Sequence, residues 1–109
     1  MMMWRVKLLP VAEDELMTIP ADMRAWFLHI SELLEELGPQ NVGMPHVRHL
    51  EGKLWEMRMT GRDGIGRAVY VARTGRVLRM LHVFVKKTQK APRKNIEIAY
   101  ERLRSLDDD

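Results

Sequence analysis

The chain has 109 residues, a formal net charge of +3 and no cysteine. A chain of this length forms one domain that buries roughly 60 to 70 % of its unfolded surface without metal or disulfide staples. The missing cysteines exclude disulfides, thiolate metal sites and a cysteine nucleophile, and they fit a reducing compartment. No apolar run approaches the ~20 residues of a membrane span, and "MMMW" lacks the apolar stretch of a signal peptide, so a soluble cytoplasmic protein is expected.

Charge is unevenly placed. Residues 1 to 47 carry three Lys/Arg against seven Asp/Glu, residues 48 to 106 carry fifteen against five, and the chain closes on "DDD". A strongly basic half points to an anionic partner, although cations also sit on ordinary solvated faces.

In chain order, "WRVKLL" (4 to 9) alternates apolar and polar residues and predicts a strand that ends at Pro10. "PVAEDELMTI" then opens a short helix with proline and first-turn acids. After Pro20 a second helix places Met23, Phe27, Ile30, Leu34 and Leu37 on one core-facing stripe and stops at Gly38. "GPQNVGMPHVRHLEGK" (38 to 53) has no period and reads as a loop. Its His46 and His49 lack a third ligand nearby, so no metal site is expected.

Three extended segments follow: "KLWEMRMT" (53 to 60), Gly66 with the "RAVYVAR" after it (66 to 73) and "RVLRMLHVFVK" (76 to 86). "GRDGI" and "TG" join them as antiparallel hairpins. Alternation sends Trp55, Met57 and Met59 to one face and Glu56 and Arg58 to the other. "APRKNIEIAYERLRSL" then carries Ile96, Ala99, Leu103 and Leu106 at helical spacing. The order strand-helix-helix-strand-strand-strand-helix predicts an α+β domain, with one helical layer on a small antiparallel sheet whose other face stays partly open. Where the last strand meets the last helix, Lys86, Lys87, Lys90, Arg93 and Lys94 crowd around one turn.

"GKLWEMRM", the "RAVYV" that follows Gly66, and "LHVFVKKTQKAPRKNIEIAYERL", in this order, resemble the RelE/HigB superfamily of toxins, in particular its phage-derived, HigB-like branch. The resemblance spans nearly the whole chain and is most specific between Lys53 and Arg104. It implies a RelE-like fold and a type II toxin that cleaves messenger RNA on the ribosome. It also implies a cognate antitoxin, often a helix-turn-helix protein.

Metal-independent RNA cleavage needs a base for the ribose 2′-OH, charge stabilisation at phosphorus and an acid for the leaving oxygen, without a cofactor. Arginine suits the second role, because its planar fork matches two phosphate oxygens. By the resemblance, Arg67 and Arg58 fall where the family places basic catalytic residues, and Lys86 and Lys87 lie near its next basic position. Lys86, Lys90, Arg93, Lys94 and Lys53 are the expected RNA contacts. Stacking of a base on Trp55 or Tyr70 competes with both rings filling the core.

One family feature is missing. The tyrosine that some members carry in the last helix aligns near Ile96, and no histidine follows His82. His82, Glu56 or a turn lysine of lowered pKa are the groups left for proton transfer. That gap keeps alive a non-catalytic module that occupies RNA, the ribosome or a protein partner.

Overall fold

The structure, a computed structural model, describes residues 3–86 and 93–107. Five strands form one sheet in the order β1-β5-β4-β3-β2, comprising β1 (Arg5–Leu8), β2 (Val47–Glu51), β3 (Leu54–Gly61), β4 (Gly64–Arg73) and β5 (Val77–Lys86). Three helices accompany them: α1 (Pro10–Leu16), α2 (Ala21–Leu37) and α3 (Arg93–Asp107). Among the described residues no helix is long and apolar enough to cross a membrane.

The expected α+β order holds, with two differences. Residues 38 to 53 are not all loop: Pro39–Asn41 form a 3₁₀ turn and Val47–Glu51 form the edge strand β2, antiparallel to β3. Glycines and prolines around Val47 hide a strand of only five residues, whose pairing is tertiary rather than local. The sheet is also mixed, because β1 lies parallel to β5, with Arg5 opposite Val77 and Leu8 opposite Met80.

Strand alternation decides which face each helix covers. Met57, Met59, Ala68, Tyr70, Leu78, Met80 and Val83 point to one side, where Ala12 of α1 and Met23, Phe27, Ile30 and Leu34 of α2 bury them. Leu37, expected on this stripe, is exposed instead. On the opposite side Leu54, Val69, Val71 and Leu81 pack against Ala99 and Leu103 of α3, with Ile96 and Leu106 at the margin. Helices therefore lie on both faces, which corrects the single-layer expectation. The part of the second face that stays free of α3 is the end that carries Glu56, Arg58 and Arg67.

Two turns need a left-handed residue. Gly64 (φ 145°) closes the β3–β4 hairpin, and Gly75 with Arg76 (φ 85° and 59°) closes β4–β5, a backbone that glycine adopts without a Cβ penalty.

Polar contacts fix α3 in place. In β5 the pairing passes from Val69–His82 to Tyr70–Met80, so Leu81 is an extra residue in that strand. Such a bulge redirects the side chains around it. Beyond Met80 the outer edge of β5 has outrun β1, and Glu15 of α1 serves it. Its carboxylate accepts from Val83 N–H (3.0 Å), from His82 Nδ1 (3.0 Å) and from both terminal nitrogens of Arg102 (2.8 and 3.1 Å). His82 Nε2 meets Asn95 Oδ1 at 2.7 Å, and Arg102 also donates to the Leu81 carbonyl. Along the other flank of α3, Arg93 and the Tyr100 hydroxyl donate to Glu51.

Burial pushes the Glu15 carboxyl upward, but the hydrogen bonds from Arg102, Val83 and His82 outweigh it and hold the group below its usual value of 4.5. A carboxylate depressed in the folded state contributes stability that is complete above its unfolded pKa and is lost as the pH falls through its folded one. Denaturation midpoints are therefore expected to fall as the pH drops below about 4.5. Glu15→Gln should be less stable near neutrality and should flatten that acid limb. In the core, Leu34→Ala is expected to cost about 2 to 5 kcal/mol in urea denaturation, because the side chain is fully enclosed.

Candidate nucleic-acid interface

The α3-free end of the second face is built from antiparallel strands. Arg48 of β2 lies opposite Glu56 of β3, Arg58 of β3 opposite Arg67 of β4, and Arg67 opposite Phe84 of β5. Lys86, at the end of β5, pairs with Ile65. Like charges directly across a strand pair are destabilising, so Arg58 facing Arg67 is a cost that the local fold does not require.

Glu56 offsets it. Its side chain is fully buried, and Oε1 accepts from Arg48 Nε at 2.5 Å and from Arg67 Nη1. Arg67 is itself only 1 % exposed. Among the described residues, Glu56 Oε2 and Arg67 Nε have no hydrogen-bond partner. Burial lowers the pKa of Arg67, Glu56 raises it, and repulsion from Arg58 and Arg48 lowers it again. The guanidinium nonetheless stays charged at cellular pH.

Lys86 is 5 % exposed and shares this field. Burial and then the charge of Arg67 bring its ammonium below the usual 10.5, with Glu56 opposing and Arg48 and Arg58 adding to the effect. Arg58 is half-buried, and among the described residues no carboxylate pairs with it. The result is a cationic patch in which the buried Arg67 and the partly exposed Arg48 share one carboxylate, while Arg58 and Arg48 form its accessible rim.

Sequence reasoning brought Arg58, Arg67, Glu56 and Lys86 to this place. It missed Arg48, which fell in the stretch read as a loop; a strand through "VRHLE" would have set Arg48 across from Glu56. Lys87 and Lys90 lie outside the described residues.

The other expected site residues sit elsewhere. His82 is buried, with both ring nitrogens engaged by Glu15 and Asn95 and its ring stacked on Phe84 at 5.0 Å. Arg93 is paired with Glu51 and Glu97, and Lys94 is exposed on the first turn of α3. Lys53 precedes β3 at its far end, about 16 Å along the strand from Arg58, in a shallow depression with Arg73, Thr74 and Leu103. Tyr70 is enclosed in the core. Trp55 remains 39 % exposed, but it faces a hollow of about 280 Å³ with Trp4, Pro39 and Leu78. Both rings are therefore on the α2 side of the sheet, where they cannot stack on a nucleotide held by Arg58.

The last helix does hold a tyrosine, Tyr100. Its hydroxyl, pushed up by burial and by Glu51, donates to that carboxylate at 3.0 Å. Glu51 ends β2, three residues beyond Arg48. Ile96, near which the resemblance placed a tyrosine, packs at the margin of the core beneath α3. Among the described residues no cluster of three or more His, Asp or Glu is arranged to hold a metal.

Glu56 compensates the buried Arg67 and the partly exposed Arg48, and removing one partner of such a network strands the other charges. Glu56→Ala is expected to cost about 3 to 5 kcal/mol of stability in urea denaturation. Glu56→Gln, which keeps the acceptor oxygen, should cost less.

Residues 14–104 match the family described as "Phage derived protein Gp49-like (DUF891)". No curated protein is similar enough to the chain to count as a relative. Among solved structures, the chain is similar to one in the crystal structure of the archaeal RelE-RelB complex from Pyrococcus horikoshii OT3. The two share 26 % identity at a TM-score of 0.59, over 83 % of this chain and all of the other. With a profile match over most of its length and a shared fold, the chain belongs to the phage-derived Gp49-like family, within the RelE/HigB superfamily of toxins.

Proposed function

We propose that the protein is the toxin of a type II toxin-antitoxin pair and that it cleaves messenger RNA at the ribosome, with the Arg58 patch as its active site. The observation that carries the reading is the convergence of Arg48, Arg58, Arg67 and Lys86 from four strands around a single carboxylate. A ligand that brings negative charge would relieve repulsion that the fold tolerates when empty. The similar archaeal RelE was solved with RelB, and by analogy an antitoxin would act by covering this patch.

In the proposed reaction the 2′-oxygen attacks phosphorus, the bond from phosphorus to the 5′-oxygen breaks, and a 2′,3′-cyclic phosphate and a 5′-hydroxyl result. Arg58, on the rim, is placed to meet the non-bridging oxygens. Preorganised donors of this kind act where charge develops in the transition state. Arg67 and Glu56 are too deeply buried to touch the phosphate, so they serve as positioning residues that hold Arg48 and the strand faces in register. Glu56, fully enclosed, cannot reach the 2′-hydroxyl either. Lys86, the least enclosed of these three at 5 % exposure and with an ammonium that burial and Arg67 bring below the usual 10.5, is the better group to take the 2′-proton and return one to the leaving oxygen. Lys87 and Lys90 would add backbone contacts.

The test is cell-free translation with the purified protein and mapping of messenger ends. Discrete 3′ ends inside translated codons are expected. Arg58→Ala should reduce their formation by about 10²- to 10³-fold without loss of folding. Lys86→Met should abolish the rise of rate with pH that deprotonation of Lys86 would cause below 10.5. Translation arrest with intact messenger would instead establish a toxin that works by occupancy, and no effect on translation would sink both readings.

A further inference from the structure

The sheet face that carries Arg58 and Arg67 has a second like-charge pair at its opposite end. Lys7 of β1 lies directly across from Arg79 of β5. Val6 and Leu8 pack into the α1/α2 core, so alternation turns Arg5 and Lys7 to the α3 side. Arg73 of β4 joins them, two residues along the strand from Val71, which faces Arg79. A hollow of about 260 Å³ opens here, lined by Lys7, Arg73, Thr74, Val77, Arg79 and Leu106. Against Arg5, Lys7, Arg73 and Arg79 the described residues set one carboxylate, Asp107, which takes Arg73 Nη1 at 2.7 Å on the exposed C-terminal turn of α3. The Arg79 Nε–H is buried and, among the described residues, has no acceptor.

Edge strands often carry cations that block pairing with another chain, which accounts for Arg5 and Lys7. It does not account for Arg79 and Arg73, which stand on interior strands. Guanidinium forks, an ammonium and a threonine hydroxyl around a donor without an acceptor suit phosphate oxygens.

We propose that the Lys7–Arg73–Arg79 hollow is a second contact for the phosphate backbone of RNA, separate from the Arg58 patch and beyond α3 from it. Arg67 and Arg73 lie six residues apart on β4, so about 20 Å of sheet separates the two patches. RNA held at both would be fixed in direction as well as in place. The inference takes from the proposed function only that the partner is RNA; it does not require that RNA be cut.

The experiment is binding of a short fluorescein-labelled single-stranded RNA to the full chain, by anisotropy over a range of salt concentrations. Each phosphate contact contributes about 0.7 to the slope of log K against log salt for single strands. Lys7→Gln with Arg79→Gln should therefore lower the slope by about 1.4, with the thermal midpoint unchanged or raised because a repulsive pair has gone. If the double variant fails to fold, Lys7→Gln alone, at an edge-strand position, should lower the slope by about half as much. An unchanged slope overturns the proposal. So does a variant that binds RNA normally but loses affinity for poly-glutamate, which would make the hollow a surface for acidic protein. A lower slope in a protein that proves not to cleave messenger supports this contact while removing the nuclease reading.

Discussion

The interaction on which the functional face depends is the fully buried carboxylate of Glu56, shared between Arg48 and Arg67. Without it, β2, β3 and β4 would meet through three arginines on one side of the sheet, two of them directly opposite each other. Burying an ion pair brings little net stability, because desolvation cancels most of the attraction. What it supplies here is position. The carboxylate gathers two guanidinium groups to one point on the sheet, which leaves Arg58 as a cation that still lacks a carboxylate among the described residues. The same arrangement explains why Lys86 is more easily deprotonated than an ordinary lysine: it is buried at the end of β5 in a field made mostly by arginines.

The two sides of the sheet divide the work of folding and binding. The α1/α2 side buries methionines, Tyr70 and the aliphatic stripe of α2 in a continuous core. The α3 side is apolar only through its middle, where Leu54, Val69, Val71 and Leu81 meet Ala99 and Leu103. α3 is additionally tied by polar contacts along both flanks, to Glu15 and His82 on one and to Glu51 on the other. His82 is the pivot of the first set. The hydrogen bonds that make it look like a poised catalytic group are those that commit it to holding α3 against β5.

How much of this was legible follows from the range over which each feature is encoded. Helices α1 and α2 and strands β3 to β5 are written in local periodicity and turn residues, and alternation alone placed Glu56 and Arg58 on one face, opposite Met57 and Met59. β2 was not legible, because five residues between Pro45 and Gly52 carry too little pattern, and only pairing with β3 makes them a strand. Losing β2 hid Arg48 and with it the network around Glu56. The side on which α3 packs was equally invisible: its stripe of Ile96, Ala99 and Leu103 demands burial but does not say against which face. The exposed Leu37 is the converse case, an apolar residue in phase with its helix that the fold leaves uncovered.

Arg67 shows how far residue type and family position can carry a functional assignment. Both pointed to it as the phosphate-binding group, yet at 1 % exposure it cannot meet a ligand without displacing what encloses it. Its pairing partner across the strands, Arg58, occupies the same sheet face at lower burial. A cross-strand pair of arginines thus separates into an inner member that organises and an outer member that remains available. Glu56 decides which is which, because its Oε1 accepts from Arg67 and not from Arg58, two residues further along its own strand. Moving that carboxylate by one residue along β3 would turn it to the α2 core, and Arg48 and Arg67 would lose the counter-charge that now holds them together.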